Sequence, residues 1–368
     1  MKTIRQLLYK EILTSVAFVT LGFLALFFFF DFVDELRWVG KAGENTYQIT
    51  QALLVVGLMI PSHLYELLPI TVLIGTIFVM ARLAQSSEYT ILRTSGLGPW
   101  RALHTLMSLG LLFVLITFSI GDYLAPLTDR TAQLVKARYQ GGITIGQTGA
   151  WLKEKQDQRS FAANVSALTS AGQMQGVRIF EFGSNGLLVS LTHAEKAEFA
   201  GDGSWTLRTV ERSDFHTQAA DNASVERSRL DSYRWPTEIT AEMVSTALLK
   251  PDRMATLDLF QYIRHLNANG QSAQRYEIEF WRKVFYPLSC LVMVVLALPF
   301  AYLHFRAGGI TTYMFGGVMA GISFFLLNNV FGYIGNLQNW QPWLTAASPG
   351  IIYSMLSLAA FGWLVLRR

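Results

Sequence analysis

Three apolar stretches of membrane length, then a long polar insert patterned like β-strands, then three more apolar stretches: this alternation of solvents along the chain constrains the fold more than any single motif. A soluble domain spliced between two triplets of membrane helices must emerge on one face of the bilayer. The chain therefore joins a lipid-embedded unit to something in the water beside it.

The stretches are read from charge. Of 368 residues, 51% are hydrophobic and only 15% charged, a balance far from that of an ordinary soluble domain. Uncharged windows run from Ile12 to Phe30, Leu67 to Ala81, Ala102 to Gly121, Val284 to Leu303 and Ala307 to Leu366. A helix needs roughly 20 apolar residues to cross about 30 Å of hydrocarbon. The last window therefore holds two spans, parted by the polar break from Asn336 to Pro342, and the second window gains length from Leu53 to Ile60. The pattern predicts a membrane α-helical protein of six transmembrane helices in a 3+3 arrangement, with an antiparallel β domain inserted between the triplets. The boundaries are 1–126, 127–275 and 276–368.

The single cysteine, Cys290, lies in an apolar span, so no disulfide framework stabilises the insert. The first apolar stretch is followed by further spans and lacks a small-residue cleavage site, which reads as an anchor and not a removable signal. Orientation follows from the cations of the short connections, because Lys and Arg resist translocation. Lys2, Arg5, Lys10, Arg82, Arg93, Arg101, Arg306, Arg367 and Arg368 all fall on one side. Both termini are expected in the cytoplasm and the insert outside. The net charge of +4 then reflects topology, and nucleic acid has no part in the reading.

Within the insert, candidate strands are Ile143 to Ile145, Ala150 to Lys153, Val177 to Phe182, Leu187 to Leu191 and Trp205 to Val210. Gly183-Ser184-Asn185-Gly186 suits a type I′ hairpin, and Gly201-Asp202-Gly203 marks another reversal. Thr256 is placed to cap a short amphipathic helix whose apolar face would be Leu257, Phe260, Ile263 and Leu266.

Between the second and third spans, Arg82 to Gly96 predicts a short helix capped by Ser86 or Ser87, with Glu88 at its positive end, Arg93 near its negative end and Gly96 stopping it. Tyr89 and Leu92 share one side and Glu88 is offered to a cationic partner. Local pattern leaves two readings open: a helix that receives motion from an ATPase, or an interfacial connector. No G-x-x-x-x-G-K-[ST] occurs, so the chain does not cradle ATP by a P-loop and any ATP would be bound by separate subunits.

On the first span Phe23, Phe27, Phe30, Asp34, Arg37 and Lys41 recur at steps of 3 or 4 and share a face while the helix persists. An acylated, phosphorylated lipid would match it, acyl chains on the phenylalanines and phosphates on Arg37 and Lys41. Lipid-facing aromatics with snorkelling ends explain the same pattern. Ionisable groups within the spans are His63, Glu66, His104 and Asp122, and only Glu66 could serve ion coupling at depth. The six histidines are scattered, with no HExxH or CxxC, so metal or nucleophilic chemistry finds no cluster.

Phe32-Val33-Asp34-Glu35-Leu36, the run Leu83 to Glu88 with Thr94-Ser95-Gly96, Tyr286-Pro287-Leu288, Ala297-Leu298-Pro299-Phe300 and Phe331-Gly332 together resemble the lipopolysaccharide export permeases (the LptF/LptG, or YjgP/YjgQ, family), nearer to LptG members than to LptF. The resemblance covers nearly the whole chain, sharpest in the spans. It implies a permease half of an ABC transporter in the bacterial inner membrane, with a periplasmic β-jellyroll, an LptF-like partner permease, an LptB-like ATPase dimer that binds ATP and an LptC-like bridge protein. The substrate implied is lipopolysaccharide, and no cofactor is implied for this chain. Glu88 falls at the family's acidic docking position, with Tyr89, Leu92 and Arg93 beside it on the coupling helix, about 85–96. Arg37 falls in the basic patch that meets lipid phosphates, with Lys41 close by; where family members can carry a lysine just before Phe-Val-Asp, this chain has Asp31. The first and fifth spans would form a lateral gate, with Phe324, Phe325 and Asn328 on the fifth. Two other classes remain open: a membrane-anchored scaffold of an envelope complex, and an ion-driven lipid transporter.

Overall fold

The structure is a computed structural model describing residues 2–40, 47–140, 149–156, 159–169, 172–200, 202–217, 223–241, 243–244, 251–302 and 310–363. Its helices are α1 (Lys2–Leu36), α2 (Ile49–Gln85), α3 (Glu88–Thr94), α4 (Pro99–Ser119), α5 (Ala125–Gln140), α6 (Thr256–Ala268), α7 (Gln274–Phe285), α8 (Ser289–Ala297), α9 (Ile310–Leu337) and α10 (Pro342–Phe361). A π turn, Ile120–Leu124, joins α4 to α5, and a 3-10 turn, Leu298–Tyr302, ends α8.

Among the described residues α1, α2, α4 running into α5, α9 and α10 are long and apolar enough to cross a bilayer, and α7 with α8 completes a sixth crossing bent by 46°. The uncharged window beginning at Val284 gave no sign that this span starts at Gln274 and breaks at its middle. Pro287 sits at the break, where it can give no N–H to the carbonyl one turn back.

Contacts divide the chain into two units: Met1–Val33, Met59–Leu127 and Gln274–Arg368 form one, Asp34–Leu58 and Thr128–Ala273 the other. The first is held by close helix approach at small residues, as expected where lipid removes any hydrophobic drive between helices. A Cβ at Gly75 would lie 2.7–2.9 Å from Val16, and one at Gly110 3.1 Å from the Leu291 backbone. Gly317 and Gly321 let α9 lie on Ile77 and Ile70 of α2. Hydroxyls bridge the same seams, Thr20 donating to Thr71 at 2.9 Å and Thr117 lying 3.2 Å from the Cys290 Sγ.

The second unit carries a six-stranded antiparallel sheet in chain order: β1 (Ala150–Gln156), β2 (Arg159–Leu168), β3 (Met174–Gly183), β4 (Leu188–Phe199), β5 (Ser204–Thr217) and β6 (Ala223–Pro236). Three expected strands lie within β1, β3 and β5, and Leu187 to Leu191 begins one residue ahead of β4; Ile143 to Ile145 is outside the described residues. The Gly183 hairpin is not type I′. Only Gly186 in that loop has a positive φ, +76°, so three residues make the reversal, with Gly183 N–H donating to Leu187 O at 2.9 Å.

From β2 to β6 the ladder is interrupted along one transverse row, Ser166, Gly176, Glu195, Thr209 and Asp231. Gly176 and Thr209 take positive φ there, +59° and +53°. The inward set slips by one residue at the row. On β3 it is Met174 on one side and Val177, Ile179 and Glu181 on the other; on β5 it is Trp205 and Leu207, then Val210. Because the extra residue falls in register on successive strands, apolar side chains on both sides of the crease face one interior.

The helix α6 begins after Ala255, which holds the N-cap position expected for Thr256. Its buried face is Leu259, Tyr262 and Leu266, while Leu257 and Phe260 are exposed. The expected stripe was out of phase except at Leu266.

Candidate functional site

The short helix α3 starts at a sharp break. Ser87 takes a left-handed φ of +62° and makes no side-chain cap, and the Ser86 hydroxyl instead donates back to Arg82 O at 3.1 Å, so neither serine caps as expected. At the other end Leu97 N–H reaches Leu92 O at 3.0 Å across Gly96, closing the helix where the sequence stops it. Tyr89 points inward, 3% exposed, and its hydroxyl donates to that of Tyr302 at 3.1 Å. Burial raises the Tyr89 phenol pKa, which keeps it a proton donor. Leu92 packs on the same core, and the Arg93 guanidinium stands 5.9 Å from the Tyr302 ring centre. Glu88 is exposed. The result is a seated helix that presents one carboxylate outward.

Along α1 the expected stripe divides. Phe23 is half-buried and Phe27 packs its ring 4.9 Å from that of His63, whose Nε2 lies 2.5 Å from Asp31 Oδ2. Phe30 is 57% exposed and meets only Phe29 among the ring contacts described. The helix stops at Leu36, so Arg37 stands in the turn beyond, exposed and 3.2 Å from Asp34. Lys41 lies outside the described residues. On the opposite phase Glu35 is buried, accepting from Tyr47 O–H at 2.7 Å and Lys136 Nζ at 2.6 Å. Burial first, and then the Glu35 carboxylate, raise the Tyr47 pKa.

On α9, Phe324 is 2% exposed, its ring 5.1 Å from Tyr353 and 6.3 Å from Tyr286. Asn328 is also buried and donates to Phe324 O at 3.0 Å. Both belong to the packed side of the helix, with Gly317 and Gly321. Phe325, at 38% exposed, belongs to the outward side with Phe315, Met319, Ile322 and Leu326.

One cluster had no place in the sequence reading. At the end of α7, Arg282 donates to Asn328 O at 2.5 Å and Glu279 at 2.9 Å, buried Lys283 donates to Gly121 O at 2.8 Å, and the Tyr286 hydroxyl donates to Glu66 O at 2.5 Å. Gly332 lies under Arg282, since a Cβ there would come within 3.2 Å of the guanidinium. Glu66, the one carboxylate considered for ion coupling, contributes its backbone oxygen here, and its residue is exposed. Among the described residues no group of three His, Cys, Asp or Glu is placed to hold a metal.

With the crossings, the inserted antiparallel sheet and the seated helix between the second and third spans described, the family model that matches the chain is the one described as "Lipopolysaccharide export system permease LptF/LptG", over residues 6–367. The chain belongs to the LptF/LptG family. It is 27% identical over 362 residues to lipopolysaccharide export system permease protein LptG of Escherichia coli (strain K12), covering 98% of this chain and 96% of that protein. To LptG of Haemophilus influenzae it is 28% identical over 369 residues, covering 100% and 99%. As an LptF/LptG permease it is a transport component, the multi-pass membrane subunit of an ABC transporter.

Several residues that carried the resemblance to LptF/LptG acquire physical reasons. Phe331-Gly332 is where α9 makes room for Arg282, Tyr286-Pro287 is the bend of the fourth span, and Glu35 of Phe-Val-Asp-Glu-Leu is a buried acceptor. Arg282 and Lys283 stand just before the uncharged window that begins at Val284, so charge alone places them outside the span. The signal available in the sequence is two adjacent cations directly before Val284.

Proposed function

We propose that this permease extracts lipopolysaccharide from the outer leaflet of the inner membrane and passes it to a periplasmic bridge, driven by ATP that an LptB-like ATPase dimer binds and hydrolyses. An LptF-like permease completes the channel and an LptC-like protein receives the lipid. The observation that carries this reading is α3: Tyr89 fixes it to the membrane unit while Glu88 faces outward, the arrangement needed to take up motion from a docked ATPase. Both termini and α3 lie in the cytoplasm and the sheet in the periplasm, as the cation distribution requires.

The lipid's acyl chains set the remaining demand. At about 0.8 kcal/mol for each CH2 exposed, several chains cannot be released into water, so a greasy path must run from gate to bridge. Phe23, Phe27 and Phe30 line its start on α1, Arg37 and Lys41 meet the phosphates, and α1 with α9 forms the lateral gate. Phe325 borders the gate directly. Phe324 and Asn328 support the fifth span from its packed side.

Solubilising the chain from its native membrane and identifying bound proteins and lipid by mass spectrometry tests the proposal. A co-purifying ATPase and a multiply acylated, phosphorylated glycolipid are expected; their absence overturns it. One observation favours a scaffold instead: Val177, Ala194 and Leu207 on the sheet's inner face are wholly buried by the chain's own residues. A photo-crosslinking residue at position 177 or 207 decides, since lipid adducts formed during ATP turnover require the sheet to open and a scaffold gives none.

A further inference from the structure

Within the bent fourth span, three donors within five residues reach three other helices, and each ends on a backbone carbonyl. Arg282 reaches Asn328 O of α9, Lys283 reaches Gly121 O at the exit of α4, and Tyr286 reaches Glu66 O of α2. One of these carbonyls, that of Gly121, lies where its own helix is irregular. In the π turn Ile120–Leu124 the ladder steps to the fifth residue on, Ala125 N–H bonding Ile120 O. By the same step Gly121 O would take the N–H of residue 126, but Pro126 has none. Glu66 lies in α2, a helix that contains Pro61 and Pro69, and there the Tyr286 hydroxyl is an added donor to its carbonyl.

A carbonyl orphaned in a span must find a donor, and a serine or threonine on the same turn would serve. Lysine is an expensive choice, because its ammonium is itself costly to bury and ionisable groups within spans mark working parts. Lys283 is 6% exposed, and its Nζ also stands 5.6 Å over the Tyr65 ring, which packs on Gly121 and lies 5.2 Å from the Tyr286 ring. The lysine thus ties the break in the fourth span to the irregular turn of the third, beside Tyr65 of the second. Where the helices are broken they can bend, and a long cationic tether can keep its bond while they do.

We infer that Lys283 is a positioning residue of the transport cycle, holding the bend of the fourth span against the π turn that ends the third, so that displacement of one during ATP turnover is passed to the other. This rests on the proposed ATP-driven lipid extraction.

The test uses the complete transporter, with its ATPase and partner permease, in proteoliposomes containing lipopolysaccharide, and reads lipid extracted per ATP hydrolysed. Extraction by the native complex is the control, and its failure counts against the proposed function and not against Lys283. Lys283→Met is expected to hydrolyse ATP within about twofold of native while lipid per ATP falls by about tenfold. Lys283→Arg should recover most of it. The double variant Pro126→Ala, Lys283→Met restores an N–H for Gly121 O without a tether, and is expected to stay uncoupled. Native coupling in either Met variant overturns the inference, because Lys283 then does not pass motion between the two breaks. Failure of both Met variants to assemble assigns Lys283 to folding and overturns it as well.

Discussion

The hydroxyl of Tyr89 on α3 donates to the hydroxyl of Tyr302 at the end of the bent fourth span, 3.1 Å away and buried, with the two rings 5.2 Å apart. This contact fixes the helix that presents Glu88 to the span that carries the bend. Tyr89→Phe keeps the rings and removes the bond, for an expected loss of about 1 kcal/mol in thermal unfolding of the purified protein. Tyr89→Ala removes the packing too and should cost about 3–5 kcal/mol. Stimulation of a co-purified ATPase should fall with Tyr89→Ala and survive Tyr89→Phe; equal effects would mean that the hydroxyl bond alone seats the helix.

Glu88→Lys should leave folding unchanged, since the side chain is exposed on the first turn, and abolish ATPase association. Co-purification measures it. Retained ATPase with intact lipid export would show that α3 is only a connector.

Asp31 and His63 form a polar link between the C-terminal half of α1 and the N-terminal half of α2, 2.5 Å apart with side chains 23% and 18% exposed. A double-mutant cycle with Asp31→Asn and His63→Gln should give a coupling energy of about 1 kcal/mol. Additive effects would demote the pair to chance proximity and leave the packing of Phe27 on His63 as their local contact.

His265 on α6 gives the β-bearing unit an acid limit. Burial lowers its pKa from the ordinary 6.5, although the Glu154 and Glu238 carboxylates oppose the shift, and its Nε2 has no hydrogen-bond partner among the described residues. A folded state that resists a proton which the unfolded chain accepts is at full relative stability above pH 6.5 and loses it as pH falls below that value. Unfolding followed by tryptophan fluorescence should show the loss, and His265→Gln should flatten it. An unchanged pH profile in the variant would place the acid sensitivity elsewhere.

The crease of the sheet is open to the same measurement. Gly176 has φ +59° and its Cβ position lies 2.7 Å from the Ser166 hydroxyl, so Gly176→Ala should destabilise by about 1–2 kcal/mol. Thr209 holds φ +53° with a branched side chain, and Thr209→Gly should be neutral to stabilising by up to about 1 kcal/mol. Opposite signs would remove the crease as a feature of the fold.

Charge and hydropathy alone determined the 3+3 layout, the inserted antiparallel sheet and the short helix with Glu88 and Gly96 at its ends, because a bilayer admits only apolar, internally bonded segments and leaves that demand written along the chain. The strands β2 and β6 were not legible. Ala163, Asn164, Val165, Ala167 and Leu168 of β2 are buried almost in succession beside the crease, while β6 is exposed on both faces from Ser224 to Ser232, and neither pattern alternates. Only tertiary structure decided which face of α6 is buried, that Phe324 and Asn328 pack inward, that the fourth span is bent, and that Lys283 answers a carbonyl which Pro126 cannot. Those outcomes depend on which groups distant parts of the chain bring into reach, and local periodicity carries no record of it.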